Sequence, residues 1–315
     1  MSDERTLDLL EAKIEELRQM NSQNGIDLSH EIRTLEKKLE RLRRDLFENL
    51  SDWERVKTAR HPKRPYALDY IGEIFTDFYE LHGDRISGDD QALITGLARL
   101  EGRRIAVVAQ QKGRSTAENK ERLFGMPRPR GYRKARRVMC LADRFGIPIV
   151  TLIDTPGAYP GLESEEENIG GAIAESLRTM AELRVPTIAV VIGEGGSGGA
   201  LAIGVADCVM MLENSIYTVI SPEGAAAILW KDKDRVKEAA AALHLTAPHL
   251  LKLGLIDGVI PEPLGGAHKD FERTAAALKR ELERHLSELT DQVTDERMAA
   301  RYARYRSIGR FHAVE

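Results

Sequence analysis

The sequence predicts an α/β fold in which buried strands alternate with helices. Two observations carry that prediction. A unit of apolar strand, glycine-bearing loop and helix occurs twice in succession, over residues 147–183 and 187–205. The strands opening both units are continuous apolar runs, the pattern of parallel strands buried on both faces. The loops follow the strands at their carboxyl ends, where α/β sheets bind ligands.

The elements are read in chain order. Residues 1–60 form an N-terminal appendage. Leu7, Leu10, Ile14 and Leu17 repeat at helical spacing, as do Leu28, Ile32, Leu35, Leu39, Leu42 and Leu46, each set with charged flanks. Asn21-Ser22-Gln23-Asn24-Gly25 reads as a turn between them, and Asp27 or Ser29 as the cap of the second helix. The prediction is an antiparallel helical hairpin. Two helices alone bury little, so contact with a neighbouring element or subunit is expected.

The core is expected over residues 61–266. Pro62 and Pro65 punctuate a linker, and residues 68–79 carry a helical apolar face of Leu68, Ile71, Ile74, Phe75 and Phe78. His82 reads as a polar loop residue. Residues 92–100 and 103–111 read as paired strands around Glu101-Gly102. Residues 112–137 hold ten Lys or Arg against two acids and several Gly and Pro. A long basic loop suits an anionic ligand, a partner surface or a solvated face. A helix is expected over 132–145, a strand over 147–153, and a helix from about 165 to 183.

The later elements are a strand from 187, a short helix from about 200 to 205, and strands ending at Leu212 and over 216–220. Ser221-Pro222 marks a helix start, with serine as cap and proline in the first turn. Helices are expected over 225–230, 232–243 and 248–253, and a last strand over 255–260. Residues 267–315 form an amphipathic helix and a tail in which Tyr302, Tyr305 and Phe311 suggest attachment to the core.

Composition excludes some classes. The net charge of −4, from 46 basic and 50 acidic side chains, gives no global reason to expect nucleic acid. Cys140 and Cys208 are too few for a disulfide framework or zinc site and read as buried thiols. No charged-flanked signal core and no apolar run of about 18 residues is present, so a cytoplasmic protein is expected.

The turn Gly193-Glu194-Gly195-Gly196-Ser197-Gly198-Gly199 admits four readings. It fits a dinucleotide fingerprint, although Glu213 lies 15 residues past Gly198, short of the usual ~20. It fits a nucleophile elbow with Ser197, for which Asp257 and His268 are available partners. It fits an oxyanion hole, in which backbone N–H groups at a helix start hold negative charge on oxygen. It also fits close strand–helix packing with no chemistry. Asp154-Thr155-Pro156-Gly157 resembles a GTPase loop, but no P-loop lysine precedes it, which leaves the phosphates without a seat.

Several of these stretches resemble the family of bacterial acetyl-CoA carboxylase carboxyltransferase alpha subunits. They are Asp154-Thr155-Pro156-Gly157-Ala158-Tyr159-Pro160-Gly161, the glycine turn through Ala202, Ile220-Ser221-Pro222-Glu223-Gly224, residues 261–268 and Phe124-Gly125-Met126-Pro127. The resemblance covers roughly residues 5–290. It implies a crotonase-type spiral of ββα turns, and carboxyl transfer from carboxybiotin on a biotin carboxyl carrier protein to acetyl-CoA, giving malonyl-CoA for fatty acid synthesis. It implies a carboxyltransferase beta subunit carrying zinc, in an α2β2 assembly with the site between subunits, and a separate biotin carboxylase; this chain has no metal of its own. This chain would face biotin, with Gly195 and Gly196 as the oxyanion hole and Gly157, Ala158, Gly198 and Gly199 lining the substrate. Another short acyl-CoA such as propionyl-CoA, a serine hydrolase using Ser197, and a non-catalytic scaffold are the competing readings. The family commonly has Glu-Glu-Arg-Gly-Gln where this chain has Glu165-Glu166-Glu167-Asn168-Ile169, and Asp and Lys at Ser115 and Ala117, so no binding role is carried to those positions.

Overall fold

The computed structural model describes residues 2–24, 28–47 and 50–309. The chain divides into two compact units, Met1–Ser51 and Asp52–Glu315.

The first unit is a pair of helices, Ser2–Asn24 and Ser29–Phe47. Leu7, Ile14, Ile32 and Leu39 are buried between them, flanked by Leu10, Leu17, Leu28, Leu35 and Leu42. Arg18 reaches Glu36 at 2.7 Å, and the Leu28 N–H donates to Asn21 Oδ1 at 2.7 Å, so the second helix doubles back along the first. The expected turn starts later than read: residues 21–24 complete the first helix. Gly25, Asp27 and the Leu46 side chain lie outside the described residues.

The division between units falls before the expected boundary at residue 60. Helix Asp52–Ala59 belongs to the second unit because Val56 and Ala59 are buried with Ile216, Ala240 and Leu245.

The second unit is built on an eight-stranded sheet of β1 (Thr76–Glu80), β2 (Leu93–Leu100), β3 (Arg103–Gln110), β4 (Ile149–Thr155), β5 (Thr187–Gly196), β6 (Cys208–Leu212), β7 (Ile216–Thr218) and β8 (Gly258–Ile260). Its order is β1-β2-β3-β4-β5-β6-β8, with β7 paired on the far end of β5. β1, β2 and β3 are antiparallel; from β3 through β4, β5, β6 and β8 the pairing is parallel. Every residue of β4, β5 and β6 is buried, which explains their unbroken apolar runs. Side chains still alternate. Val150, Leu152, Ile188, Val190 and Ile192 face one core with Leu278, Leu282 and Leu286 of helix Phe271–Thr290. Ile149, Ile153, Ala189 and Val191 face a second core with Tyr132 and Met139 of helix Pro129–Arg144 and Met180 of helix Ile169–Glu182.

Three expectations are corrected. The helix predicted over 68–79 stops at Ile74; Phe75 turns extended and Thr76 to Glu80 pair with β2 as its edge strand. The β-branched and aromatic residues Thr76, Phe78 and Tyr79 suit that state better than a helix. The helix expected over 165–183 is two helices, Leu162–Glu166 and Ile169–Glu182, separated by Asn168 in the left-handed region at φ 61°. Cys140 is exposed, whereas Cys208 is buried and its thiol is pushed up to about 12 by burial, which leaves it inert.

The tail after Thr290 contains helix Thr294–Ser307. Arg297 and Arg301 are buried on it, and the Ala206 N–H donates to Tyr305 Oη at 2.9 Å. Tyr302 is exposed, and Phe311 lies outside the described residues. Among the described residues no helix is long and apolar enough to cross a membrane.

Candidate active site

β5 continues past its apolar stretch through Gly196, where helix Ser197–Leu201 starts. The missing side chains each have a reason. At Gly193 a Cβ would strike the Asp154 carboxylate, and at Gly195 it would meet the Tyr217 ring at 2.7 Å. At Gly196 it would enter the Pro156 carbonyl, and at Gly199 the backbone of Gly157 and Ala158. The two loops are therefore pressed together backbone to backbone. Gly198 and Gly157 differ: a Cβ at Gly198 would touch only Ile173, at 3.6 Å, and one at Gly157 would meet nothing within 4 Å.

All six residues expected at the site thus gather where β4 and β5 end. Their amides are not equally available. The Gly157 N–H donates to Thr155 Oγ1 at 3.1 Å, while the Thr155 hydroxyl donates to the Gly157 carbonyl at 2.7 Å. Gly195 and Gly196 are buried and pair with Tyr217 and Thr218 of β7. In front of them lies a crevice of about 10 Å³, bounded by Arg60, Pro156, Glu194, Thr218 and Ser221, room for about one water-sized molecule. A larger apolar cavity of about 330 Å³ opens beside Ser197 and Gly198, walled by Tyr217, Val219, Leu250 and Tyr305. The Gly199 carbonyl is fixed from behind by Gln110 Nε2 at 2.7 Å and Tyr132 Oη at 3.2 Å.

Sequence reasoning missed the charged residues behind this turn. Lys112 bridges Asp154 and Glu194, and Arg60 Nε donates to Glu194 Oε1 at 2.6 Å. Burial pushes the Glu194 carboxyl up, but Lys112 and Arg60 outweigh it and hold the group below the ordinary carboxylate range. Arg64 and Glu262 form a buried bidentate pair, and Arg64 Nε donates to the Ile192 carbonyl at 2.8 Å, bracing β5 just before the glycines. The signal was half visible: Asp154 and Glu194 stood inside motifs already singled out, but nothing local tied them to residues 60 and 112.

The basic tract is largely neutralised by acids from other segments of the second unit. Arg114 meets Asp69, Arg128 meets Glu163, Arg130 and Arg133 share Glu167, Lys134 meets Asp89 and Arg136 meets Glu175. Ser115 accepts the Glu118 N–H at 3.2 Å and caps helix Thr116–Glu121, a structural role. Asn168 likewise accepts the Gly171 N–H at 3.0 Å, and Glu167 serves Arg130 and Arg133, so the segment that departs from the family pattern is a helix break with internal partners.

The hydrolase geometry is not assembled. Ser197 is exposed at φ 52°, and no histidine bonds it among the described residues. His268 stacks on His61 at 3.8 Å, and Asp257 takes the Val209 N–H and Arg304. His82 bonds Asp89 in its loop. Among the described residues no cluster of three His, Cys, Asp or Glu could hold a metal ion.

Residues 1–309 match the family described as acetyl co-enzyme A carboxylase carboxyltransferase-like. The chain belongs to this family. The acetyl-coenzyme A carboxylase carboxyl transferase subunit alpha of Methylococcus capsulatus is 55% identical over 300 residues, covering 95% of this chain and 94% of that one. Its counterpart in Burkholderia mallei is 54% identical over 302 residues, covering 96% and 94%. This carboxyltransferase subunit also shares its fold with transcarboxylase 12S, at TM-score 0.61 and 24% identity, over 75% of this chain and 44% of that one. A Pseudomonas malonate decarboxylase hetero-tetramer gives TM-score 0.57 at 18% identity, over 70% and 89%. The fold is the crotonase type expected, and the chain is one subunit of a multi-subunit carboxyltransferase.

Proposed function

We propose that this alpha subunit supplies the biotin side of the carboxyltransferase reaction of acetyl-CoA carboxylase. In this reading it acts in the cytoplasm, taking the carboxyl group from carboxybiotin on a biotin carboxyl carrier protein, itself loaded by biotin carboxylase, and passing it to acetyl-CoA. The product is malonyl-CoA, the first committed step of fatty acid biosynthesis. A zinc-bearing beta subunit binds most of the CoA, in an α2β2 assembly.

The observation that carries the proposal is the junction of residues 154–158 with residues 193–199, where two side-chain-poor turns meet at the carboxyl ends of parallel strands. The fit to a neutral, hydrogen-bond-accepting bicyclic ring is one of space: a side chain at Gly157 would meet nothing within 4 Å and one at Gly198 only Ile173, so no side chain competes for the room beside the turn. Gly195 and Gly196 are assigned the donors that stabilise negative charge on oxygen, while Gly157, Ala158, Gly198 and Gly199 shape the wall. Such donors need no proton bookkeeping, and losing one typically costs ~3–4 kcal/mol of barrier. The bound biotin supplies the carboxyl carrier; the chain's residues orient it and exclude water.

The open apolar cavity of about 330 Å³ beside Ser197 and Gly198 supports a site completed by a second subunit. So does the exposed apolar set Val219, Ile228 and Leu229, each at least 65% exposed, just beyond β7.

The test is reconstitution with the beta subunit and carboxylated carrier, following acetyl-CoA and propionyl-CoA side by side. Malonyl-CoA as the main product is expected. Preferential carboxylation of propionyl-CoA would move the assignment to another acyl-CoA, and no transfer to either would overturn it.

A further inference from the structure

The strands β3, β4 and β5 are neighbours in the sheet and parallel. Just beyond or within their carboxyl ends stand Lys112, Asp154 and Glu194. Lys112 Nζ lies 2.7 Å from Asp154 Oδ1 and 2.8 Å from Glu194 Oε2, with only 12% of the lysine side chain exposed. Asp154 Oδ1 also accepts the Glu194 N–H at 2.9 Å, and its carboxylate fills the place a side chain at Gly193 would need. Arg60 extends the network, its Nη1 donating to Glu223 Oε1 at 2.6 Å in the first turn of helix Pro222–Trp230.

This arrangement sits one step behind the proposed donors. Pro156 follows Asp154 by two residues, Gly196 follows Glu194 by two, and it is the Pro156 carbonyl that lies against Gly196. Whatever fixes Asp154 against Glu194 therefore fixes one turn against the other. Two carboxylates this close and this buried repel strongly unless a cation lies between them.

We propose that Lys112 is a positioning residue for carboxyl transfer: by bridging Asp154 and Glu194 it holds the turn at residues 155–158 in register with the turn at residues 195–199. The role rests on the site reading given above. It also has a pH signature. The charged groups around Glu194 are Lys112, Arg60 and Asp154, with Glu223 across Arg60, and Tyr66 and Arg64 near the Lys112–Asp154 side. Without Lys112, Glu194 loses the larger of the two cationic influences that keep its carboxyl low, and its protonation moves to higher pH. In that variant Arg60 alone offsets the two carboxylates, and the two turns are held less firmly until one carboxyl takes up a proton.

The experiment is steady-state carboxyl transfer by the reconstituted α–β holoenzyme, measured as a function of pH. Lys112→Met should lower kcat by about tenfold to a hundredfold, the scale of a small misplacement of catalytic groups, with KM for acetyl-CoA and for the carrier unchanged. The loss should shrink toward acid pH. Lys112→Arg should restore part of kcat, and Lys112→Met with Glu194→Gln should lose the acid recovery, since one negative charge is gone at every pH. A Lys112→Met enzyme with wild-type kcat throughout overturns the proposal. So does a pH-independent loss that merely follows a lowered thermal midpoint. Should Lys112→Met fail to assemble, the polar Lys112→Gln carries the test, and a wild-type kcat across the pH range there overturns it. A wild-type holoenzyme that carboxylates no acyl-CoA refutes the site reading itself, whereas an active wild type beside an indifferent Lys112→Met refutes only the positioning role.

Discussion

Gly198 and Gly199 stand side by side in the turn but answer to different constraints. An alanine at Gly199 must displace the backbone of residues 157–158, so Gly199→Ala should cost about 1–3 kcal/mol, the range for overpacking, and lower carboxyl transfer with it. Gly198→Ala makes only an ordinary contact with Ile173, so its stability should stay within about 0.5 kcal/mol of wild type. Thermal unfolding of the two variants separates packing glycines from glycines that leave room; equal destabilisation would refute the distinction. Ser197→Ala should leave carboxyl transfer within about twofold, while a loss of about 10⁴ would restore the nucleophile reading. The glycines themselves were legible in the sequence, because a residue type absent at its Cβ announces a close approach wherever it clusters. Lys112 was not. It opens a basic tract, and only the fold brings residue 112 beside residues 154 and 194.

At the scale of elements, periodicity recovered what depends on neighbours in the chain. The seam of Leu7, Ile14, Ile32 and Leu39 closes the hairpin as its spacing requires, and the buried apolar runs became β4, β5 and β6. It failed where local and tertiary preferences compete. Phe75 and Phe78 fit a helical face in sequence, yet the unpaired edge of β2 draws residues 76–80 into a strand. The break at Asn168 was hidden for a related reason: apolar spacing continues across it, and only the left-handed backbone and the side-chain bond to the Gly171 N–H mark a new helix. That cap is testable. Asn168→Ala loses the acceptor and the polar side chain that lets asparagine tolerate the left-handed region, and should destabilise the core by about 1–2 kcal/mol. Asn168→Gly keeps the backbone permissive and should cost only a few tenths of a kcal/mol. Chemical denaturation of both variants checks the ranking, and an alanine variant as stable as the glycine one would show that the cap carries no weight.

Across the whole second unit, the segment before the sheet is stitched to the segment after it. Arg64 forks onto Glu262, which also accepts the N–H groups of Asn214 and Ala267, and His61 stacks on His268 a few residues away from each. Glu262→Gln leaves a buried guanidinium without its counter-charge and should cost about 3–5 kcal/mol. The histidine stack makes the same closure sensitive to acid. Burial lowers the His268 imidazole to about 4 from 6.5, with His61, Lys269 and Arg64 adding to the effect and Glu262 opposing it. The folded chain therefore binds fewer protons at this site than the unfolded chain once pH falls below about 6.5. Stability from this group is fully present above that pH and is lost progressively as pH drops toward about 4. Thermal midpoints measured through this window should decline, and His268→Gln, which keeps a polar side chain of similar size but cannot titrate, should decline less steeply. Parallel slopes for the two proteins would show that the stack is not a proton-linked contact, and that acid sensitivity arises from the carboxylates elsewhere in the fold.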